Sequence, residues 1–238
     1  MKILNVNPSA QVLEKSRTCT LCVDSGDIFF GATFAKGFLI SKDGGVLTAN
    51  HFIQPGKKIG VMSSDEHVPP EDIICTDQVK EIHRSTKYDL ALLYLEEERD
   101  LPYKHFAFSL EQPDPGQVGY YYGLKELKSG EIVCNKWLGG QLKLSSPAPK
   151  ERVYFKSDVI EGDSGTPLFD NGGEVIGVVA GNIDTQRSKK ELPKLSLGFA
   201  YGIYQVREFM KEVDINIEDL LAGKEIRSFN KVQRLLDK

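Results

Sequence analysis

Three short segments of this 238-residue chain hold side chains whose types and surroundings suit covalent chemistry. In residues 161–169, EGDSGTPLF, Ser164 lies between Gly162 and Gly165. A serine that attacks a carbonyl needs its hydroxyl exposed at a tight turn. It also needs backbone amides converging on the oxygen that becomes negative, and neighbouring side chains would block that approach. Gly, Asp and Ser also dominate ordinary surface turns, so the segment alone is equally a plain turn. The partners decide between the two readings. His51 follows a strand-like VLTA, and Asp89 precedes the apolar run LALLYL, where scarce water would strengthen a hydrogen bond from its carboxylate to an imidazole. A serine is a weak nucleophile until a base takes its proton, and the base works best when a third group fixes its tautomer. The separations, 89 − 51 = 38 and 164 − 89 = 75 residues, mean that only a tertiary fold can bring the three together.

The elements that must do so read as strands. Twenty-two glycines and 11 prolines punctuate short apolar segments, with no internal repeat and no low-complexity block. Segments 18–23, 31–40, 45–48, 58–62, 90–95, 119–123, 131–138, 153–156, 166–169, 174–180 and 197–204 all have β-type composition, and little helix is expected between them. A polar, proline-bearing stretch at 96–117 divides the strands into two nearly equal groups, which predicts two packed β units. Toward the C-terminus the character changes: 206–213 reads as a helix, and Ile226, Phe229, Val232 and Leu236 recur at helical spacing.

Composition narrows the function. A formal net charge of −4 supplies no basic field for phosphates, so nucleic acid is not expected as a partner. The apolar runs are too short to cross a membrane as helices, and residues 1–11 lack the sustained apolar core of a secretion signal. The expectation is therefore a cytoplasmic protein with reduced thiols at Cys19, Cys22, Cys75 and Cys134. Cys19 and Cys22 form a single C-x-x-C within a strand-like segment, where residues three apart face opposite ways, so no metal and no cofactor is expected. His67, His83 and His105 read as surface residues.

TANH before His51, YDLALL around Asp89 and GDSGTPLF around Ser164 resemble, in this chain order, the motifs of the trypsin-like serine proteases. The runs 38–51 and 197–203 are most similar to the compact bacterial, HtrA-like branch. The resemblance covers about residues 18–210 and implies an all-β, chymotrypsin-like fold. That fold consists of two packed antiparallel six-stranded β-barrels at about 15–100 and 115–205, within a protease domain at 1–210, followed by a helical tail at 211–238. It implies a serine endopeptidase with Ser164 as nucleophile, His51 as general base and acid, Asp89 orienting the imidazole, and the amides of Gly162 and Ser164 as oxyanion hole. Asp158, six residues before Ser164, matches the position of an aspartate that selects Arg or Lys, and Asn182 would lie along the substrate groove.

Three departures stand out. Thr166 replaces the usual second glycine, there is no activation-cleavage sequence near the start, so Asp163 needs a partner of its own, and the tail is too short for a PDZ module. The partner implied is a protein or peptide substrate, with no membrane partner, and the amphipathic tail could receive an activating or recruiting protein. The alternatives are a catalytically silent, peptide-binding pseudoprotease and a latent protease ordered by a partner.

Overall fold

The computed structural model describes residues 8–26, 34–65, 67–96, 101–126, 132–144, 152–156, 159–160, 162–183 and 197–226; of residues 34, 124–126, 132–144, 156, 182–183 and 197 it describes the backbone alone. The chain enters through helix α1 (Ala10–Cys19), whose first turn is capped by Ser9 Oγ accepting from Val12 N at 3.3 Å. The strand expected from residue 18 therefore begins two residues later. Cys19 closes the helix instead of pairing with Cys22 in a strand, and burial pushes its thiol up to about 12.

The first sheet contains β1 (Thr20–Ser25), β2 (Phe34–Leu39), β3 (Gly45–Ala49), β4 (Ile59–Ser63), β5 (Cys75–Thr76), β6 (Val79–Ser85) and β7 (Leu90–Leu95), in the order β5-β4-β1-β2-β3-β7-β6. The second contains β8 (Ala107–Phe108), β9 (Val118–Glu126), β10 (Ile132–Leu144), β11 (Arg152–Lys156), β12 (Pro167–Phe169), β13 (Glu174–Ile183) and β14 (Leu197–Gly202), in the order β12-β9-β10-β11-β14-β13-β8. An added β12–β13 pairing closes six antiparallel strands of the second sheet into a ring, to which β8 adds a parallel seventh. The all-β, two-unit architecture is as expected, but each sheet has seven strands rather than six. The strands that the sequence did not reveal are short or polar: β5 and β8 have two residues each, and β6 (VKEIHRS) is mostly half-buried at a sheet edge.

Every residue of β7 is buried, which explains its unbroken apolar run: one face fills the first barrel and the other meets the rest of the molecule. The two units are joined by aromatic side chains. Phe38 meets Phe106 edge-on at 5.9 Å, and Phe106 stacks on Phe169 at 5.8 Å. Helix α2 (Ile203–Lys211) packs on β13 and β14 and also reaches the first unit, where Phe209 lies 5.6 Å from the ring of His83. Of the expected tail, a short helix α3 (Ile217–Leu221) follows, and buried Ile226 packs on the backbone at Gly45. Phe229, Val232 and Leu236 lie outside the described residues.

Candidate active site

His51 sits in a single 3-10 turn, Asn50–Phe52, that ends strand β3. Asp89 occupies the residue before β7, and the antiparallel pairing of β3 with β7 sets these two strand ends side by side. Asp89 has φ +52°, a left-handed conformation that Asp tolerates better than most residues. Three hydrogen bonds follow from it. The Asp89 carbonyl accepts from Asn50 N at 2.9 Å, Oδ1 accepts from His51 N at 2.8 Å, and Oδ2 lies 2.7 Å from His51 Nδ1. One carboxylate thus fixes both the backbone and the ring of His51. The hydrogen bond to Asp89 holds the imidazole pKa above its usual value, with burial opposing it. With Nδ1 committed, Nε2 is the nitrogen left to exchange a proton, on a side chain 47% exposed.

Ser164 stands on a turn that is itself wired across the two units. Its carbonyl accepts from Lys36 N of β2 at 2.8 Å, and the next amide, Gly165 N, donates to Val179 O of β13 at 2.8 Å. Gly165 has φ +86°, and a Cβ there would lie 2.0 Å from Lys36 O, so no side chain fits. Gly162 has φ +95°. In the same turn Asp163 N donates to Ile160 O and Thr166 N to Asp163 O, both at 3.1 Å, whereas among the described residues the amides of Gly162 and Ser164 have no acceptor. Two uncommitted N–H groups therefore flank the committed one at Asp163. Buried Asp163 finds a partner within the turn, its carboxylate accepting from Ile160 N at 3.1 Å. The Ser164 hydroxyl donates to Ala180 O of β13 at 3.1 Å.

The other expected site residues are placed less completely. Asp158 lies outside the described residues. Asn182 lies on β13 with its backbone paired to Gly198 of β14. His67, His83 and His105, expected as surface residues without partners, each have one: His67 Nδ1 is 3.1 Å from Asp65, His83 Nε2 is 3.0 Å from Glu212, and His105 Nδ1 is 3.2 Å from Tyr103 O.

Three neighbours of the site went unread in the sequence. Arg84 of β6 donates from Nε to Asn50 Oδ1 at 2.8 Å and from its guanidinium to Ile53 O at 2.6 Å, bracing both ends of the His51 turn. Tyr201 of β14 is buried. Burial pushes its phenol pKa up, and the charge of the Asp89 carboxylate that it faces pushes in the same direction. Lys36 is fully buried, its amine 5.8 Å above the ring of Tyr122 and, among the described residues, with no hydrogen-bond acceptor. Only Lys36 carried a usable signal, a lysine inside an otherwise apolar strand (FAKGFL).

Residues 35–178 match the trypsin-like peptidase domain, a span that includes His51, Asp89 and Ser164. The chain belongs to that family. Similar relatives of this trypsin-like peptidase include a probable periplasmic serine endoprotease DegP-like of Marinomonas sp. (strain MWYL1), 31% identical over 62% of this chain and 29% of the relative. A protein of the same description from Pseudomonas fulva (strain 12-X) is 32% identical over 61% and 28%, and the serine protease HTRA1 of Xenopus laevis is 27% identical over 76% and 36%. The chain thus spans about a third or less of the length of these relatives. Among solved structures, the serine endoprotease from Yersinia pestis superposes with a TM-score of 0.62 at 18% identity, covering 87% of this chain and 67% of that one. The active form of the Rv3671c protease from M. tuberculosis gives 0.59 at 19%, covering 87% of each. The expected cytoplasmic location is corrected by these matches, because the DegP-like relatives are named as periplasmic.

Proposed function

We propose that this trypsin-like peptidase is a serine endopeptidase that cuts peptide bonds in protein substrates through an acyl-enzyme. The observation that carries the reading is the coupling of His51 to Asp89 at 2.7 Å, with a glycine-flanked serine anchored to the neighbouring strand β2. Asp89 holds the proton on Nδ1, so Nε2 accepts the proton of Ser164 as Oγ attacks the substrate carbonyl carbon. The oxyanion formed would be met by the amides of Gly162 and Ser164, a contribution on the order of 10² to 10³ in turnover per donor. Nε2 then delivers the proton to the leaving amine, and water repeats the sequence to release the acid. Asn182, on β13, would align an extended substrate along that strand, and Asp158 would favour Arg or Lys. The names of the relatives support a setting outside the cytoplasm.

A second reading rests on a specific contact. The serine hydroxyl donates to Ala180 O, so its proton is directed at a backbone carbonyl. In a latent peptidase that bond would be the resting state, and a partner would release it. Labelling with a fluorophosphonate distinguishes these readings. Labelling of the isolated protein that Ser164→Ala abolishes is expected for an active enzyme. Labelling only after substrate peptide or a partner is added identifies the latent form, and none under any condition indicates a silent, peptide-binding relative. Replacing Asp158 by Ser should lower the preference for Arg over Leu; an unchanged preference removes it from the pocket.

A further inference from the structure

A concave surface of about 730 Å³ lies between the segment that links the two sheets, the turn after β12 and helix α3. It is remote from the serine. Asp170 and Glu174 at its edge close the β12–β13 hairpin, while Ser164 and Ala180 stand six residues away along each arm, about 20 Å at strand spacing. Phe108 and Ile176 lie beneath it, each 1% exposed, and the surface that the groove presents is mainly polar. Leu110 and Leu221 rise at its sides with 49% and 41% exposure. Tyr204, 52% exposed, adjoins them, its amide donating to Gln112 of the same lining at 3.3 Å. Of the six large hydrophobic side chains exposed among the described residues, three are gathered here.

The charge around this groove has one sign. Glu111, Asp114, Asp170 and Glu174 line it, and no lysine or arginine does. Asp170 is occupied by its own turn, accepting from Gly172 N and Glu174 N at 2.8 and 3.0 Å. Among the described residues, no basic side chain pairs with Glu111, Asp114 or Glu174. Arg207 stands at the edge of the groove, donating to Leu110 O at 3.0 Å, but its guanidinium is paired with Glu218, and Asp219 pairs with Lys224. Three unpaired carboxylates around exposed leucines complement a segment bearing the opposite pattern.

We propose that this groove docks a cationic, amphipathic peptide segment of another protein, its apolar side chains on Leu110 and Leu221 and its lysines or arginines on Glu111, Asp114 and Glu174. The site is separate from the serine, so it holds such a segment whether or not the chain cuts peptide bonds. The test uses full-length protein with Ser164→Ala, which keeps the probe intact. Fluorescence anisotropy is followed with a labelled dodecapeptide of lysines and leucines, the leucines spaced three and four apart, and with the same peptide carrying glutamate for lysine. Binding of the lysine peptide alone is expected, weakened about tenfold by the triple variant Glu111→Gln, Asp114→Gln, Glu174→Gln and again by raising salt from 50 to 300 mM. Leu110→Ser with Leu221→Ser should weaken it without changing the salt response. Equal binding to the triple variant, equal binding of the acidic peptide, or no saturation below 1 mM overturns the proposal. So does sedimentation showing that two copies of the chain bury Leu110 and Leu221 against each other.

Discussion

His51 and Asp89, delivered by the first sheet, are joined by contacts of 2.8 and 2.7 Å before any substrate arrives. Ser164, delivered with the second sheet, spends its hydroxyl proton on Ala180 of that same sheet. The His51–Asp89 pair is local in space, built on two adjacent strand ends and braced by Arg84. Ser164 depends on a turn whose position is set by a bond from the other unit, Lys36 N to Ser164 O. One half is thus organised within a sheet and the other across the boundary between sheets, and the two should fail in different ways.

The largest effect is expected from the pair. Asp89→Asn removes the charge that holds the Nδ1–H tautomer, and kcat should fall by about 10⁴-fold with the fold intact. A loss under tenfold, in a variant whose circular dichroism is unchanged, would show that the 2.7 Å contact does not drive the reaction. In the turn, by contrast, damage should appear first as instability. Gly165→Ala puts a Cβ 2.0 Å from Lys36 O at φ +86°, whereas Gly56→Ala, at φ +72°, meets nothing within 4 Å. Urea unfolding should give a loss of about 1 kcal/mol for Gly56→Ala from the left-handed backbone alone, and about 3 kcal/mol or more for Gly165→Ala, where backbone must move as well. Equal losses would mean that the two units do not approach closely at Gly165.

The same contrast governs what could be read from sequence. The meeting of His51 with Asp89 and the tight turn at Ser164 were legible because each lies in a short motif beside a strongly apolar strand. The strands β3, β7 and β13 were legible for the same reason, since their burial demands unbroken β-branched and aliphatic runs. Strand β6 was missed because VKEIHRS is an edge whose pattern answers to solvent and to Arg84's contacts, not to a core. Strands β5 and β8 are too short to imprint a period. Helix α1 was misread at its end because TCTLCV has strand composition, while the Ser9 cap and the docking of Val12 on Gly173 favour continuing the helix to Cys19. The contacts of Tyr201 with Asp89 and of Lys36 with Ser164 could not be read, because separations of 201 − 89 = 112 and 164 − 36 = 128 residues leave no spacing signal, although a lysine inside an apolar strand marked Lys36 itself as unusual.

Lys36 offers a smaller test of the boundary between units. Its side chain is fully buried, without an acceptor among the described residues, and the face of Tyr122 is its compensation. Leaving an amine unsolvated and unbonded costs about 1 to 3 kcal/mol or more, against about 0.5 to 2 kcal/mol from the ring. Lys36→Met keeps the length, the apolar contacts and the backbone bond to Ser164. It should raise stability by about 1 kcal/mol in urea unfolding and leave kcat/KM unchanged. A destabilised variant would mean that the amine holds the two sheets together.

The smallest effect is expected at Tyr201, and its sign is informative. The Asp89 hydrogen bond already raises the His51 pKa above 6.5, so the neutral base is lost as pH falls, and kcat/KM should decline with a midpoint above that value. The Tyr201 hydroxyl faces the same carboxylate from β14 and shares part of its charge. Tyr201→Phe removes that sharing, leaves more of the charge to the imidazolium, and should move the acid limb to still higher pH, with a loss of a few-fold at pH 7 and none at pH 9. A purely structural role for the ring, which packs edge-on against Phe199 at 6.1 Å, would lower the rate equally at every pH. A limb that stays in place while stability drops would therefore assign Tyr201 to packing, and leave the electrostatics of the His51–Asp89 pair wholly to the first sheet.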